Sequence, residues 1–262
     1  MNNQKEKIML RKIFAMSITL ALFGSIVAQE NVYIEWMGEN ETANNYVRKG
    51  IFHWHNVEWE KSYTYFTGAL EEDPTLFAPH VVLAWLSDGE TKAMHVEKAK
   101  KLVKGKNENS QLFVSLLELG GSENASKRHD VWAKMHEIEP DGGVIHYYYA
   151  WTTQDKQERL DEFEKFLAQE KAAGDSYFHI LNALGYGYYN IGDKAKAKSY
   201  LKEYVSVYPE GYNPHDSMGE YYYNEKDYEN SLIHYEKALA KFPMSNSANN
   251  KVKELKTKLG KE

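Results

Sequence analysis

A segment that occurs twice in the same register constrains this chain more than any other feature. Leu184, Gly185, Tyr188, Asp193, Ala197, Leu201 and Pro209 recur as Met218, Gly219, Tyr222, Asp227, Ser231, Tyr235 and Pro243, each pair one step of about 34 residues apart. In the second copy, apolar or aromatic residues at Met218, Tyr222, Leu232, Tyr235, Leu239 and Phe242 flank a polar break at Asn224-Glu225-Lys226-Asp227. The spacing predicts two short amphipathic helices joined by a tight turn. The second must end before Pro243, because proline disfavours helical backbone in the residue that precedes it. Gly219 and Ser231 are then small residues at facing positions, so the two backbones can approach while Tyr222, Tyr235 and Leu239 interlock around the contact. A hairpin of this size buries too little surface to stand alone and must stack on a neighbour.

This pattern resembles the tetratricopeptide repeat, with small residues at its eighth, twentieth and twenty-seventh places, aromatic or leucine residues at the eleventh and twenty-fourth, and proline at the thirty-second. Those places are Gly185, Tyr188, Ala197, Leu201, Tyr204 and Pro209 in one copy, and Gly219, Tyr222, Ser231, Tyr235, Ala238 and Pro243 in the next. Tyr204 departs from the pattern, being large where a small residue is usual. Earlier units follow in weakening form. The first has Gly50, His53, Ser62, Phe66, Ala69 and Pro74, with His53 where a hydrocarbon ring is usual. The second, third and fourth keep helical spacing through residues such as Ala84 and Ala99, Leu112, Leu116, Leu119 and Trp132, and Tyr147 and Phe163.

The expected fold is all-α: a right-handed superhelical α-solenoid of about six helix hairpins, starting near 43, 77, 109, 143, 178 and 212 and filling 43–245. A lead-in segment over 29–42, with Val32, Ile34 and Trp36 alternating, precedes it. A C-terminal capping helix over 246–262 closes it, with Val252, Leu255 and Leu259 on one side and lysines on the other. Such an array leaves no room for a separate catalytic domain. The last unit also resembles a repeat module that ends some bacterial serine-hydrolase chains, in Asp216-Ser217-Met218-Gly219-Glu220; with no hydrolase portion here, that likeness supports the repeat and not the chemistry.

At the other end, Lys5, Lys7, Arg11 and Lys12 precede an apolar run from Ile13 to Ala28 that closes on small residues, the layout of a signal peptide over 1–28. The run is about 16 residues, short of the roughly 20 that cross a bilayer, so no stable span is expected after cleavage and the mature chain is expected to be exported, periplasmic or secreted. There is no cysteine, which excludes disulfides, thiolate chemistry and a lipid-modified leader. The formal charge of -6 becomes about -9 without the leader, which argues against nucleic acid as a partner.

No catalytic residue, metal ligand or cofactor is expected. His53-Trp54-His55 looks like a metal motif, but residues two apart on a helix point roughly 200° apart and cannot chelate one ion; the repeat register places His53 in the core between helices. His129 and His136 lie two turns apart on the outer helix of the third unit. Gly185-Tyr186-Gly187 lacks the preceding strand of a phosphate loop. His215, Asp216 and Ser217 are consecutive and diverge on a helix, unlike a relay built from distant segments.

The resemblance implies a concave groove lined by the first helix of each unit, chiefly at its second, fifth, ninth and twelfth places. These are Val47, Ile51 and Trp54; Val81, Trp85 and Asp88; Tyr147, Trp151 and Gln154; Asn182, Tyr186 and Tyr189; and Asp216, Glu220 and Tyr223, with Asn190 and Asn224 one place further. The groove is aromatic, with amides and a few acids and no Lys or Arg. It suits an extended protein or peptide segment, whose side chains the rings cover and whose backbone the amides satisfy. Carbohydrate or a small ligand stacked on the same rings is the alternative. In either case the chain is expected to be a scaffold and not an enzyme.

Overall fold

The computed structural model describes residues 33–261, so the expected signal peptide and the first residues of the lead-in lie outside the described residues. Thirteen α-helices follow in the described residues, with no strand among them. They form six antiparallel pairs and a last single helix. The pairs are α1 (Glu41–His55) with α2 (Trp59–Glu72), α3 (Ala78–Trp85) with α4 (Gly89–Leu102), and α5 (Glu108–Ser115) with α6 (Ala125–Ile138). They continue with α7 (Gly143–Thr152) and α8 (Lys156–Ala173), α9 (Phe178–Asn190) and α10 (Lys194–Val207), and α11 (Asn213–Asn224) and α12 (Tyr228–Lys241), before α13 (Asn246–Leu259). Each pair packs on the next, so the unit 33–261 is an all-α solenoid.

The recurring residues have mechanical roles. Asp193 and Asp227 cap the second helix of their hairpins, accepting from the backbone N–H groups of Lys196 at 3.0 Å and Asn230 at 3.2 Å. The small residues let the helices touch: Ser231 Oγ donates to the Gly219 carbonyl at 2.8 Å, and Ser62 Oγ repeats the bond to Gly50 at 3.0 Å. A Cβ on Gly50 would meet the Phe66 ring at 2.8 Å, and one on Gly185 would meet Leu201 at 2.6 Å. The eighth-place glycine thus makes room for the twenty-fourth-place side chain.

Two details differ from the sequence expectation. The first helix of the third hairpin stops at Ser115 and tightens into a 3-10 turn over Leu116–Glu118, which takes Leu119 off the helical face it was expected to share. His53 is only partly buried; its Nδ1 lies 2.7 Å from Glu58 Oε2 and its ring stacks on Tyr65 at 5.2 Å, so the fully buried histidine of that helix is His55.

Ahead of α1, the segment from Tyr33 is extended and tied to the start of α5. Glu35 accepts from Lys106 Nζ at 2.8 Å and from the Asn107 backbone N–H at 3.0 Å, and its own N–H donates to Ser110 Oγ. Trp36 inserts among Trp54, Phe66 and Phe113. Residues of the first four hairpins and the lead-in therefore share one apolar cluster.

Candidate functional site

The first helices of the hairpins converge on one cavity of about 1320 Å³. Of the predicted groove residues, Trp54, Trp85, Tyr147, Trp151, Asn182, Tyr186 and Glu220 line it, together with Asp88 and Asp216. Ile51, Tyr189, Asn190, Tyr223 and Asn224 do not. Ile51 packs against the apolar cluster around Trp36, as Val47 and Val81 do, because in the first two units these places face the lead-in and its neighbours. Tyr189 and Tyr223 sit on the last turns of α9 and α11, beyond the cavity. There Tyr189 donates to Glu225 at 2.9 Å, while Tyr223 donates to Glu254 and lies 3.8 Å beneath Lys251 Nζ. Asn190 and Asn224 are exposed at the helix ends.

Its apolar wall is a run of rings. Trp54 stacks on Trp85 at 5.6 Å and on Tyr148 at 4.9 Å, Tyr148 stacks on Trp132 at 5.0 Å, and Tyr147 lies parallel to Trp151 at 6.2 Å. Such rings supply large contact areas with little side-chain freedom to lose. Tyr148, Trp132 and Trp59, also lining the cavity, were not expected there; Tyr148 stands next to a groove place, and Trp132 and Trp59 belong to second helices.

The cavity is closed on one side by a contact between distant units. The turn joining α1 to α2 reaches the junction of α10 and α11, and Val57 takes a positive φ of 60° to make it. Glu58, fully buried, accepts from Tyr208 Oη at 3.0 Å and from the Tyr212 backbone N–H at 2.8 Å, as well as from His53 and Lys61. Burial alone would raise the Glu58 carboxyl, but the bonds from His53 and Lys61 hold it below the usual carboxylate range. Phe52 meets Phe178 and Tyr208 edge to face, and the His55 ring lies 4.7 Å from that of His179. Tyr204, the large residue at a small-residue place, reaches Asn56 and holds this contact shut. That departure is one sequence signal of the closure.

The α9–α11 side of the cavity is polar and acidic. Tyr186 donates to Glu220 at 2.6 Å. Burial, reinforced by the neighbouring Glu220 charge, pushes Asp216 up to about 6, against a lowering hydrogen bond from Ser247. The lining residues His55, Asn182 and Asp216 each carry a buried side-chain atom without a hydrogen-bond partner, respectively Nε2, Oδ1 and Oδ1. Among the described residues no group of three His, Asp or Glu is placed to hold a metal ion. The histidines pair instead, His80 with His95 at 2.7 Å between their Nδ1 atoms and His215 with His234 at 3.1 Å. His129 and His136 both stack on Tyr149. No described helix is long and apolar enough to cross a membrane.

The tetratricopeptide repeat family model matches residues 183–211, the first of the two copies from which the period was read. No curated protein matches the sequence. Among solved structures, the human IFIT1 dimer with m7Gppp-AAAA is similar over 83% of this chain and 56% of its own, at 15% identity and a TM-score of 0.52. Yeast Tom70 is similar over 87% of this chain and 59% of its own, at 13% identity and a TM-score of 0.50. The chain thus spans less than two thirds of either, and identities this low speak for the fold alone. A matched repeat at 183–211 inside a succession of antiparallel helix pairs with the same small-residue contacts gives this chain the tetratricopeptide-repeat fold.

Proposed function

We propose that the chain is a non-catalytic scaffold, working outside the cytoplasm, that binds an extended segment of a protein partner in the cavity between its first helices. The observation that carries this reading is the convergence of Trp54, Trp85, Tyr147, Trp151, Asn182, Tyr186 and Glu220 on a single space of about 1320 Å³. That volume exceeds the roughly 300–1,000 Å³ of small-molecule pockets, which favours a chain segment over one sugar ring or metabolite. Rings for side chains beside amide and hydroxyl groups for backbone are what an extended peptide requires. The IFIT1 structure holds a capped RNA, but here Asp216 and Glu220 stand in the cavity wall and the formal charge is -6, so a phosphate backbone is the wrong chemistry.

Photocrosslinking tests the reading. Benzoylphenylalanine at Trp59, 54% exposed inside the cavity, is expected to yield adducts that map to one short segment of a partner; the same group at Met244, 75% exposed outside it, is expected to yield none. Equal labelling at both positions, or adducts to glycan alone, would refute it.

A further inference from the structure

We propose that the α9–α11 wall of the cavity, Asn182 with Asp216 and Glu220, receives the cationic side chain, lysine or arginine, of the segment bound there; this rests on the groove reading above. Asp216 and Glu220 are four apart on α11, so their carboxylates share one helical face, and both line the cavity. One period back on α9, Asn182 and Tyr186 occupy the matching places. The Tyr186–Glu220 bond brings the two helices' inner faces together.

The atoms this wall leaves over are acceptors. Asn182 is 7% exposed, lines the cavity and has an Oδ1 without a partner, and Asp216 Oδ1 has none either. Acids on the outer surface of the same region are matched by lysines, Glu225 by Lys194 at 2.7 Å and Glu254 by Lys251 at 3.1 Å. The basic residues of the cavity belong to other elements. Arg128, on α6, donates to the carbonyls of Leu119 and Gly121, and Lys92 is on α4. A donor with a positive charge is therefore what the α9–α11 wall lacks. The Tyr186 and Trp151 rings line the same space and can flank a cation through their faces. A divalent metal fits less well, because two carboxylates and one amide fall short of the six to eight oxygens that Ca²⁺ takes.

The test is a random dodecapeptide display selected on the full chain, followed by synthetic peptides from the enriched set. The result expected is a lysine or arginine at one fixed register. Changing that residue to glutamine, or introducing Asp216→Asn with Glu220→Gln, should weaken binding about tenfold or more with unchanged helicity by circular dichroism. Should the double variant fail to fold, Glu220→Gln alone makes the same comparison. Enrichment without a basic residue would overturn the inference and leave the groove reading standing. A basic preference that persists in the double variant would also overturn it, since the cation then sits elsewhere. No enrichment at all would bring down both.

Discussion

The Tyr204 hydroxyl donates to Asn56 Oδ1 at 3.2 Å, joining residues 148 apart in sequence, and is itself the acceptor of the Asn213 amide at 3.3 Å. The phenol is fully buried, and burial raises it far above its ordinary range. Tyr204→Phe removes the hydroxyl and leaves polar groups of Asn56 and Asn213 unpaired in the interior. A loss of about 1–2 kcal/mol in denaturant unfolding is expected. Hydrogen exchange should rise first in the α1–α2 turn; a uniform rise along the chain would show that the contact is not a local closure.

Glu58 gives the second prediction. It accepts from four groups on two distant parts of the solenoid, and Glu58→Ala would leave the Tyr208 hydroxyl and the Tyr212 N–H buried without a partner. A cost of about 3–5 kcal/mol is expected, which a chemical unfolding curve would measure. A cost below about 1 kcal/mol would mean that the turn is not anchored there.

Acid should loosen the protein through its paired histidines. Burial lowers His80 to about 4, helped by the His95 and Lys98 charges, and burial lowers His234 to about 4, helped by His215 and Lys237. Each folded ring resists a proton that the unfolded chain takes near 6.5, so its contribution is intact above pH 6.5 and is lost as pH falls toward 4. Each such ring accounts for on the order of 2–3 kcal/mol at full effect. Asp216 at about 6 and Glu139 at about 7, both raised by burial, act in the opposite sense, since the folded state takes their protons first. His80→Phe should therefore flatten the fall of melting temperature between pH 6.5 and 4; an unchanged slope would clear that pair of responsibility.

The two repeat glycines should not respond alike to alanine. Alanine gains up to about 1 kcal/mol in helix propensity over glycine. At Gly219 the new Cβ meets the Tyr235 ring at 3.0 Å, whereas at Gly185 it meets Leu201 carbons at 2.6 and 2.7 Å. Overpacking of the second kind costs typically about 1–3 kcal/mol. Thermal denaturation should show Gly185→Ala clearly destabilised and Gly219→Ala near neutral, and the reverse order would contradict the packing described.

The solenoid was legible because its determinants are local. Gly185, Leu201, Asp193 and Pro209 act within one hairpin, and their recurrence 34 residues on announces the same hairpin again. The cavity was legible only where it follows that period, at Tyr147, Trp151, Asn182, Tyr186 and Glu220. It was misjudged at Tyr189 and Tyr223, whose hydroxyls find Glu225 and Glu254 on the last turns, and at Ile51, which the lead-in cluster absorbs. The meeting of the first hairpin with the fifth has no period to betray it. Its marks in the sequence were two misfits, Tyr204 for a small residue and His53 for a hydrocarbon ring, and both act at that contact.

Trp151 and Ile233 permit the most direct test, since they are 47% and 46% exposed and only Trp151 lines the cavity. Titrate the segment identified by crosslinking against Trp151→Ala and Ile233→Ala, following heat in a calorimeter. Binding in the cavity predicts about 30-fold weaker affinity for Trp151→Ala, as truncating a central tryptophan costs about 2 kcal/mol, and none lost for Ile233→Ala. Equal affinity of the two variants, or a larger loss at Ile233, would contradict it.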